Sequence, residues 1–301
     1  MKKLPLITVI IPTYKRHIML EKAIKSVINQ TYKNIEIIVV DDNKYNSKEH
    51  INTKNMINNY PNVRYYKNKK SIGSALSKNK GIELARGEYI AFLDDDDFFE
   101  PTKIEKQYNY YKKLNNKNVS MIYCYVRDLD SDYNEIRLNK KDYEGQPLYE
   151  HLIKFIATTS CWFCPKDILV KLGGFDNVMC QQDSTLILKM LINGYEIYRV
   201  PEVLLNFVIH DKERITNYTY EYIKWFEVYH NKCIEIYDRF NKKEICDIEY
   251  SFAIRIYDMY FELNDKKNVF KQVIKLWKLK LFEVSTFRKT IKFLLIDFIR
   301  K

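Results

Sequence analysis

Four consecutive carboxylates, Asp94 to Asp97, interrupt the stretch YIAFLDDDDFFEP at residues 89–101. They follow five apolar residues, Tyr89 to Leu93, that read as a buried element. Two like charges ~4 Å apart repel by about 4 kcal/mol at an effective dielectric near 20. Such a run is either a water-solvated turn or a place built for a cation. Hard divalent cations take carboxylate oxygens, and one held there can neutralise a departing diphosphate. A second acid pair, Asp41–Asp42, ends the apolar run IEIIVVDD (35–42). A third candidate, Asp183, opens the helical pattern DSTLILKMLINGY. As a general base it would contribute on the order of a hundredfold to ten-thousandfold to attack by a hydroxyl. As a helix N-cap it would only accept backbone N–H bonds. Spacing alone leaves both roles open.

The elements that must position these acids alternate between two periodicities. ITVIIP (7–12) is a β-branched apolar run, predicting a strand buried on both faces. Leu20, Ala23, Ile24, Val27 and Ile28 recur at helical spacing. IEIIVVDD predicts a second buried strand and NVRYYKN a third. SALSKNKGIELARG predicts a helix closed by Gly87, and YIAFLDD a fourth strand. This alternation specifies a parallel sheet flanked by helices, in which ligands bind beyond the carboxyl ends of the strands. Both acid clusters fall at such ends, which makes them a site. Further on, a helix follows Pro101, MIYCYVRDL predicts a strand, residues 128–147 a polar excursion, and Tyr149–Phe155 a helix. The pattern turns helical, polar and aromatic from about residue 211, predicting a domain of residues 1–210 and a helical region of 211–301.

The segments ITVIIPTYKR, SVINQTYKNIEIIVVDDN, SIGSALSKNKGIELARGEYIAFLDDDD and GGFDNVMCQQDSTLILKML occur in one order. Together, over about residues 5–210, they resemble family 2 glycosyltransferases. The resemblance implies the GT-A fold, Rossmann-like with a mostly parallel sheet. It also implies an inverting enzyme that moves a sugar from a nucleotide donor, typically UDP-linked, to a hydroxyl of a glycan or lipid-linked acceptor. Pro12 and Tyr14 would line the base pocket, and Asp42 would accept a hydrogen bond from the base. Ser74 and Lys78 would face the nucleotide. Asp94 to Asp96 would form the Asp-x-Asp element, with Asp95 near the ribose and Asp96 on a divalent cation, Mn²⁺ or Mg²⁺. The run of four leaves the metal-binding aspartate open by one position. Asp183 would be the base, and His210, in LNFVIHDKERIT, would close the metal and phosphate site. The chain departs from the family pattern at Gln182, Thr185 and Val208, and at Lys78, which keeps charge but loses the arginine fork.

The motif Cys161-Trp-Phe-Cys164 invites a zinc or redox reading, but a structural zinc site needs four ligands and no second pair of suitable spacing is present. The resemblance places this stretch, with Gln182, on the acceptor side, where Trp162 either stacks on a sugar or packs. The six cysteines, in a 301-residue chain without a recognisable secretory signal, are expected as free thiols in a reducing compartment. No run reaches the ~18 apolar residues of a spanning helix, so the expected place is cytoplasmic, soluble or peripheral on the inner membrane face.

Formal net charge is +11, and it is concentrated. Residues 266–301 hold 11 Lys plus Arg against Glu283 and Asp297. In VFKQVIKLWKLKLF, Val269, Phe270, Val273, Ile274, Trp277 and Leu281 trace one apolar face with lysines beside it. That composition suits a helix lying on an anionic membrane surface, or one packed against the protein with a solvated charged face. No nucleic-acid module accompanies the basic residues. Two other classes compete with the transferase: a non-catalytic nucleotide-sugar-binding scaffold, favoured by Gln182 and Val208, and a nucleotidyltransferase. The latter calls for a Gly-rich loop after the first strand, where the chain has IPTYKRHIML instead.

Overall fold

The computed structural model describes residues 4–210 and 218–295. Its strands are β1 Ile7–Thr13, β2 Ile35–Asp41, β3 Val63–Lys67, β4 Tyr89–Phe92, β5 Phe98–Phe99, β6 Val119–Leu129, β7 Glu135–Asn139, β8 Phe163–Pro165 and β9 Glu196–Val208. They form one mixed sheet in the order β3-β2-β1-β4-β8-β6-β9-β5, with β7 paired to β6. The β3-β2-β1-β4 half is parallel throughout. Its strands are the expected apolar runs, and β1 is buried at every residue. Beyond β4 the sheet turns antiparallel through β8, and β6 and β9 then run parallel to each other. The mostly parallel α/β arrangement read from the sequence is therefore present.

Several helices belong to the same unit: α1 His17–Ile28, α2 Lys48–Ile57, α3 Ser74–Leu84 and α4 Lys103–Leu114. α1 buries Leu20, Ala23, Ile24 and Val27, whereas Ile28 is half exposed. α3 lies tightly on β1: a Cβ on Gly81 would stand 2.3 Å from Ile10 Cγ2. Gly87 does not close α3, whose C-cap is Ala85. It sits where the chain re-enters the sheet, and a Cβ there would meet the Thr8 backbone nitrogen at 2.7 Å. β9 was not legible as a strand. Its pairing with β6 skips Pro201 and Glu202, Cys124 standing opposite Val200 and Tyr125 opposite Val203. A proline has no N–H for the ladder, so the strand bulges there.

The described chain divides into two compact units, and the division is not a single cut. The first takes residues 4–147, 156–178 and 182–210, including α6 Lys166–Lys171 and α7 Gln182–Ile192 beside the helices above. The second takes the described residues from 218 onwards together with Leu148–Phe155 and Met179–Gln181. It contains α5 Leu148–Ile153, α8 Tyr220–Ile234, α9 Lys242–Glu262, α10 Lys266–Leu279 and α11 Val284–Leu294. The stretches 148–155 and 179–181, expected within the first domain, thus belong to the helical one. Arg255 of α9 donates to the Leu152 carbonyl, and the Ser251 hydroxyl to that of Ile153.

α10 divides the apolar face expected of it. Val269, Val273 and Leu276 are buried with Tyr250, Ala253, Tyr257 and Phe261 of α9, while Phe270 and Ile274 remain exposed. Lys275 and Lys280 pair with Glu249 and Asp247 of the same unit. A second apolar surface lies on α11, where Val284, Phe287, Ile291 and Leu294 are all exposed. Their spacing of three and four puts them on one side of the helix. Thr286 and Thr290 belong to the inward side, bonding Tyr250 and the Trp277 indole.

Candidate active site

The first unit brings the acids together at the carboxyl ends of β1, β2 and β4. The turn after β4 is fastened by the Leu93 N–H to the Ile10 carbonyl and by the Asp97 N–H to the Asp94 carbonyl. The four carboxylates do not converge on one point, and each meets a different partner. Asp94 Oδ1 lies 2.9 Å from Lys78 Nζ. Asp95 Oδ2 accepts from the Thr13 hydroxyl at 2.7 Å and the Tyr14 N–H at 3.2 Å, both at the end of β1. Arg16 Nη1 stands 3.4 Å from Asp95 Oδ1 and hydrogen-bonds Asp96 Oδ2. Asp97 is buried and accepts from the Val208 N–H at 3.2 Å. The crowding of four aspartates is thus relieved by two side-chain cations of the chain itself, Lys78 and Arg16.

Burial still works against their charge. It pushes Asp95 up to about 7, with help from Asp96 and against the Thr13 bond and the Arg16 charge. Asp96 is raised as well, by burial first, although Arg16 opposes the shift. Asp97 is raised further, by burial and by its neighbours Asp96 and Asp94.

Asp183 belongs to the same network. It is the second residue of α7, inside the first turn rather than at the N-cap, and its Oδ2 accepts from the Thr159 N–H at 3.1 Å. Lys78, almost fully buried on α3, donates to Thr159 Oγ1 at 2.7 Å while holding Asp94. Lys78 therefore links the aspartate turn to the candidate base. Burial pulls the lysine down, but the charges of Asp94 and Asp183 more than offset this and keep it protonated. Burial raises Asp183 to about 6, with Lys78 opposing the shift and Asp94 adding to it. A carboxylate near 6 is poised to accept a proton from a hydroxyl near neutral pH.

Asp42 is committed to its own loop. Oδ1 accepts from Asn68 Nδ2 and the Ile72 N–H, both at 2.8 Å. Oδ2 accepts from the Ser71 hydroxyl at 2.9 Å and the Gly73 N–H at 2.8 Å. Those four donors hold the Asp42 carboxylate in place at the approach to α3. Asp41 is occupied by the Tyr65 hydroxyl and the Asn43 N–H. Pro12 is buried within β1, Tyr14 is about half exposed, and Ser74 begins α3, partly buried.

Trp162 takes the packing role. It is fully buried, stacked on Phe175 at 6.1 Å and edge-on to Phe92 at 6.4 Å, and presents no face to a sugar. Gln182 donates to the Val178 carbonyl at 3.3 Å. Cys161 and Cys164 are free, fully buried thiols, and burial raises both, which removes the redox reading. Thr13, Arg16, Thr159 and Ser160, whose hydroxyl accepts from the Asp94 N–H, were not singled out in the sequence. The signal for Thr13 and Arg16 was their place just after Pro12; for Thr159 and Ser160 it was the polar triplet in ATTSC.

Among the described residues, no three His, Cys, Asp or Glu side chains form a ready cation cage. Two atoms beside the turn nevertheless suit a metal. His210 Nε2 is buried without a hydrogen-bond partner among the described residues, 3.6 Å from Asp96 Oδ2, and Asp97 Oδ2 is likewise buried and unbonded. Asp96 and His210 fit a divalent cation whose other positions are filled from outside the protein.

Residues 8–173, more than half of the chain, match the family described as Glycosyl transferase family 2. An uncharacterized glycosyltransferase of Methanocaldococcus jannaschii is 28% identical over 258 residues, covering 85% of this chain and 87% of that protein. A GalNAc(5)-diNAcBac-PP-undecaprenol beta-1,3-glucosyltransferase of Campylobacter jejuni is 41% identical over 95 residues, 31% of this chain and 30% of that one. Among solved structures, S. aureus TarS 1-349 in complex with UDP-GlcNAc superposes with a TM-score of 0.65 at 13% identity. That superposition covers 91% of this chain and 81% of the other, and it identifies the fold as GT-A. The chain belongs to glycosyltransferase family 2.

Proposed function

We propose that the protein is an inverting glycosyltransferase that takes its sugar from a UDP-linked donor, with Asp183 as the general base. The observation that carries this reading is the partly buried Asp183 carboxylate, raised to about 6 and tied through Thr159 and Lys78 to the aspartate turn. The acceptor hydroxyl gives its proton to Asp183 as it attacks the anomeric carbon, and the nucleoside diphosphate departs on the side of the turn. Asp94 and Asp95 orient the donor's ribose and sugar, and Asp42 holds the 68–73 loop against the nucleotide. Pro12, Tyr14 and Ser74 border that pocket. Asp96 and His210 hold a Mn²⁺ or Mg²⁺ ion, which when bound stabilises the charge of the leaving diphosphate.

The acceptor in this reading is a hydroxyl of a glycan or of a lipid-linked glycan in surface polysaccharide synthesis. Support comes from the undecaprenol-linked substrate in the name of the Campylobacter relative and from the outward apolar faces of α10 and α11. We place those faces on an anionic membrane surface. Among the described residues no helix is long and apolar enough to cross a membrane.

The test is donor turnover. UDP-sugars with Mn²⁺ should release UDP slowly without acceptor, and Asp183→Asn should abolish transfer while donor binding persists. Release of pyrophosphate would instead indicate nucleotidyl transfer, and donor binding with no turnover would indicate a scaffold.

A further inference from the structure

A groove of about 510 Å³ lies on the first unit, at the opposite end of β4 from the aspartate turn. Tyr89 opens that strand and Asp94 follows its end, about 16 Å further along at roughly 3.3 Å per residue. The volume is that of a small-ligand cleft, and no residue of the candidate active site lines it. Tyr89 and Tyr111 of α4 form its aromatic wall. Tyr89 stacks on Phe163 at 5.1 Å and meets Tyr111 edge-on at 5.2 Å, so packing fixes both rings. Both remain partly open, and neither hydroxyl has a hydrogen-bond partner among the described residues. Partly buried tyrosines usually give that group one. Backbone ties hold the rest of the lining. The Lys166 N–H donates to the Glu88 carbonyl at 3.0 Å, and its ammonium donates to the Ala85 carbonyl. With the lysine engaged, the exposed Glu88 and Asp167 carboxylates are the charged acceptors the lining offers.

We propose that this groove is a second carbohydrate site, which grips a neutral glycan chain away from the point of transfer. A pyranose ring presents an apolar C–H face and a rim of hydroxyls. A tyrosine ring already locked by its neighbours covers that face at small entropic cost. A carboxylate accepts from two neighbouring hydroxyls at once, and a free tyrosine hydroxyl both donates and accepts. Charged partners fit less well. Lys112 and Lys113 follow Tyr111 on α4 and Lys171 ends α6, all of them exposed, and they repel a basic peptide. Glu88 and Asp167 repel an acidic one. A neutral, hydroxyl-rich ligand meets neither penalty. Holding the polymer there keeps its growing end at high effective concentration near the transfer site between turnovers. The choice of ligand rests on the glycan-acceptor reading of the function.

The experiment is saturation-transfer NMR on the full chain with three neutral probes: maltotetraose, cellotetraose and chitotetraose. At least one should bind saturably, and an excess of UDP with Mn²⁺ should not displace it. Tyr111→Ala should weaken that binding about tenfold. Asp167→Asn, a change at an exposed residue that guards against a folding defect in the alanine variant, should weaken it several-fold. Binding that both variants retain in full, or that UDP displaces, overturns the proposal. So does size-exclusion chromatography in which the parent is dimeric and Asp167→Asn monomeric, because the groove then belongs to a second copy of the chain. Failure of all three saccharides to bind overturns the groove site alone, since the donor reading is judged separately by UDP release.

Discussion

Asp183 can be interrogated by pH, because its folded-state affinity for a proton exceeds the ordinary one. A base raised to about 6 predicts that log(kcat/KM) climbs with pH and levels off above roughly that value. Asp183→Asn should remove this dependence and lower kcat on the order of a hundredfold to ten-thousandfold, with UDP affinity changed less than about twofold. The effect on folding has the opposite sign. A carboxylate that titrates higher when folded stabilises the native state in acid, and that contribution is lost as pH rises through its folded value. Asp183→Asn should therefore gain melting temperature relative to the parent as pH goes from 5 to 8, measured by differential scanning fluorimetry. At this scale the sequence located the acids but not their partners. Asp94 and Lys78 are neighbours only because α3 runs beneath the turn, and Arg16 reaches Asp96 across 80 positions. Thr159 and Ser160 are short polar residues of a kind found in any loop, and nothing in their composition announces the bonds they make to Asp183 and to the Asp94 N–H.

Elements were legible where burial leaves an unmistakable pattern. β1, β2 and β4 are apolar runs because both faces are covered, and α1 shows a clean helical stripe. β9 was missed because Pro201 interrupts it and β7 because all but its last residue lie exposed. Gly81 is an element-scale requirement: Gly81→Val should lower stability by about 1–3 kcal/mol through overpacking on Ile10, checked by urea denaturation. The outward faces of α10 and α11 predict binding to lipid. Phe282, 83% exposed between the two helices, and Ile291 are the residues to alter. A Phe282→Ser, Ile291→Ser variant should lose cosedimentation with vesicles containing phosphatidylglycerol while keeping soluble donor hydrolysis. Equal sedimentation of parent and variant, or equal binding to neutral vesicles, would remove the membrane from the account. The sequence marked this tail as basic and amphipathic but assigned too much to α10, since half of its apolar face packs on α9.

For the whole molecule, composition drift suggested a boundary near residue 211, while the two compact units of the described chain interleave. A chain ending at residue 210 keeps α5 but loses α9, the helix that holds it. That truncation should aggregate or elute as oligomers in size-exclusion chromatography, even though the entire aspartate site lies upstream. The periodicity of a sequence reports what each segment buries, not which distant segment buries it, so such an exchange between units was not visible. The same threading sets a schedule for the ribosome. Residues 148–155 emerge more than a hundred positions before the end of α9, and translation adds about 5–20 residues per second. For on the order of ten seconds this stretch waits without its shelter, a window in which a nascent-chain chaperone has a defined target.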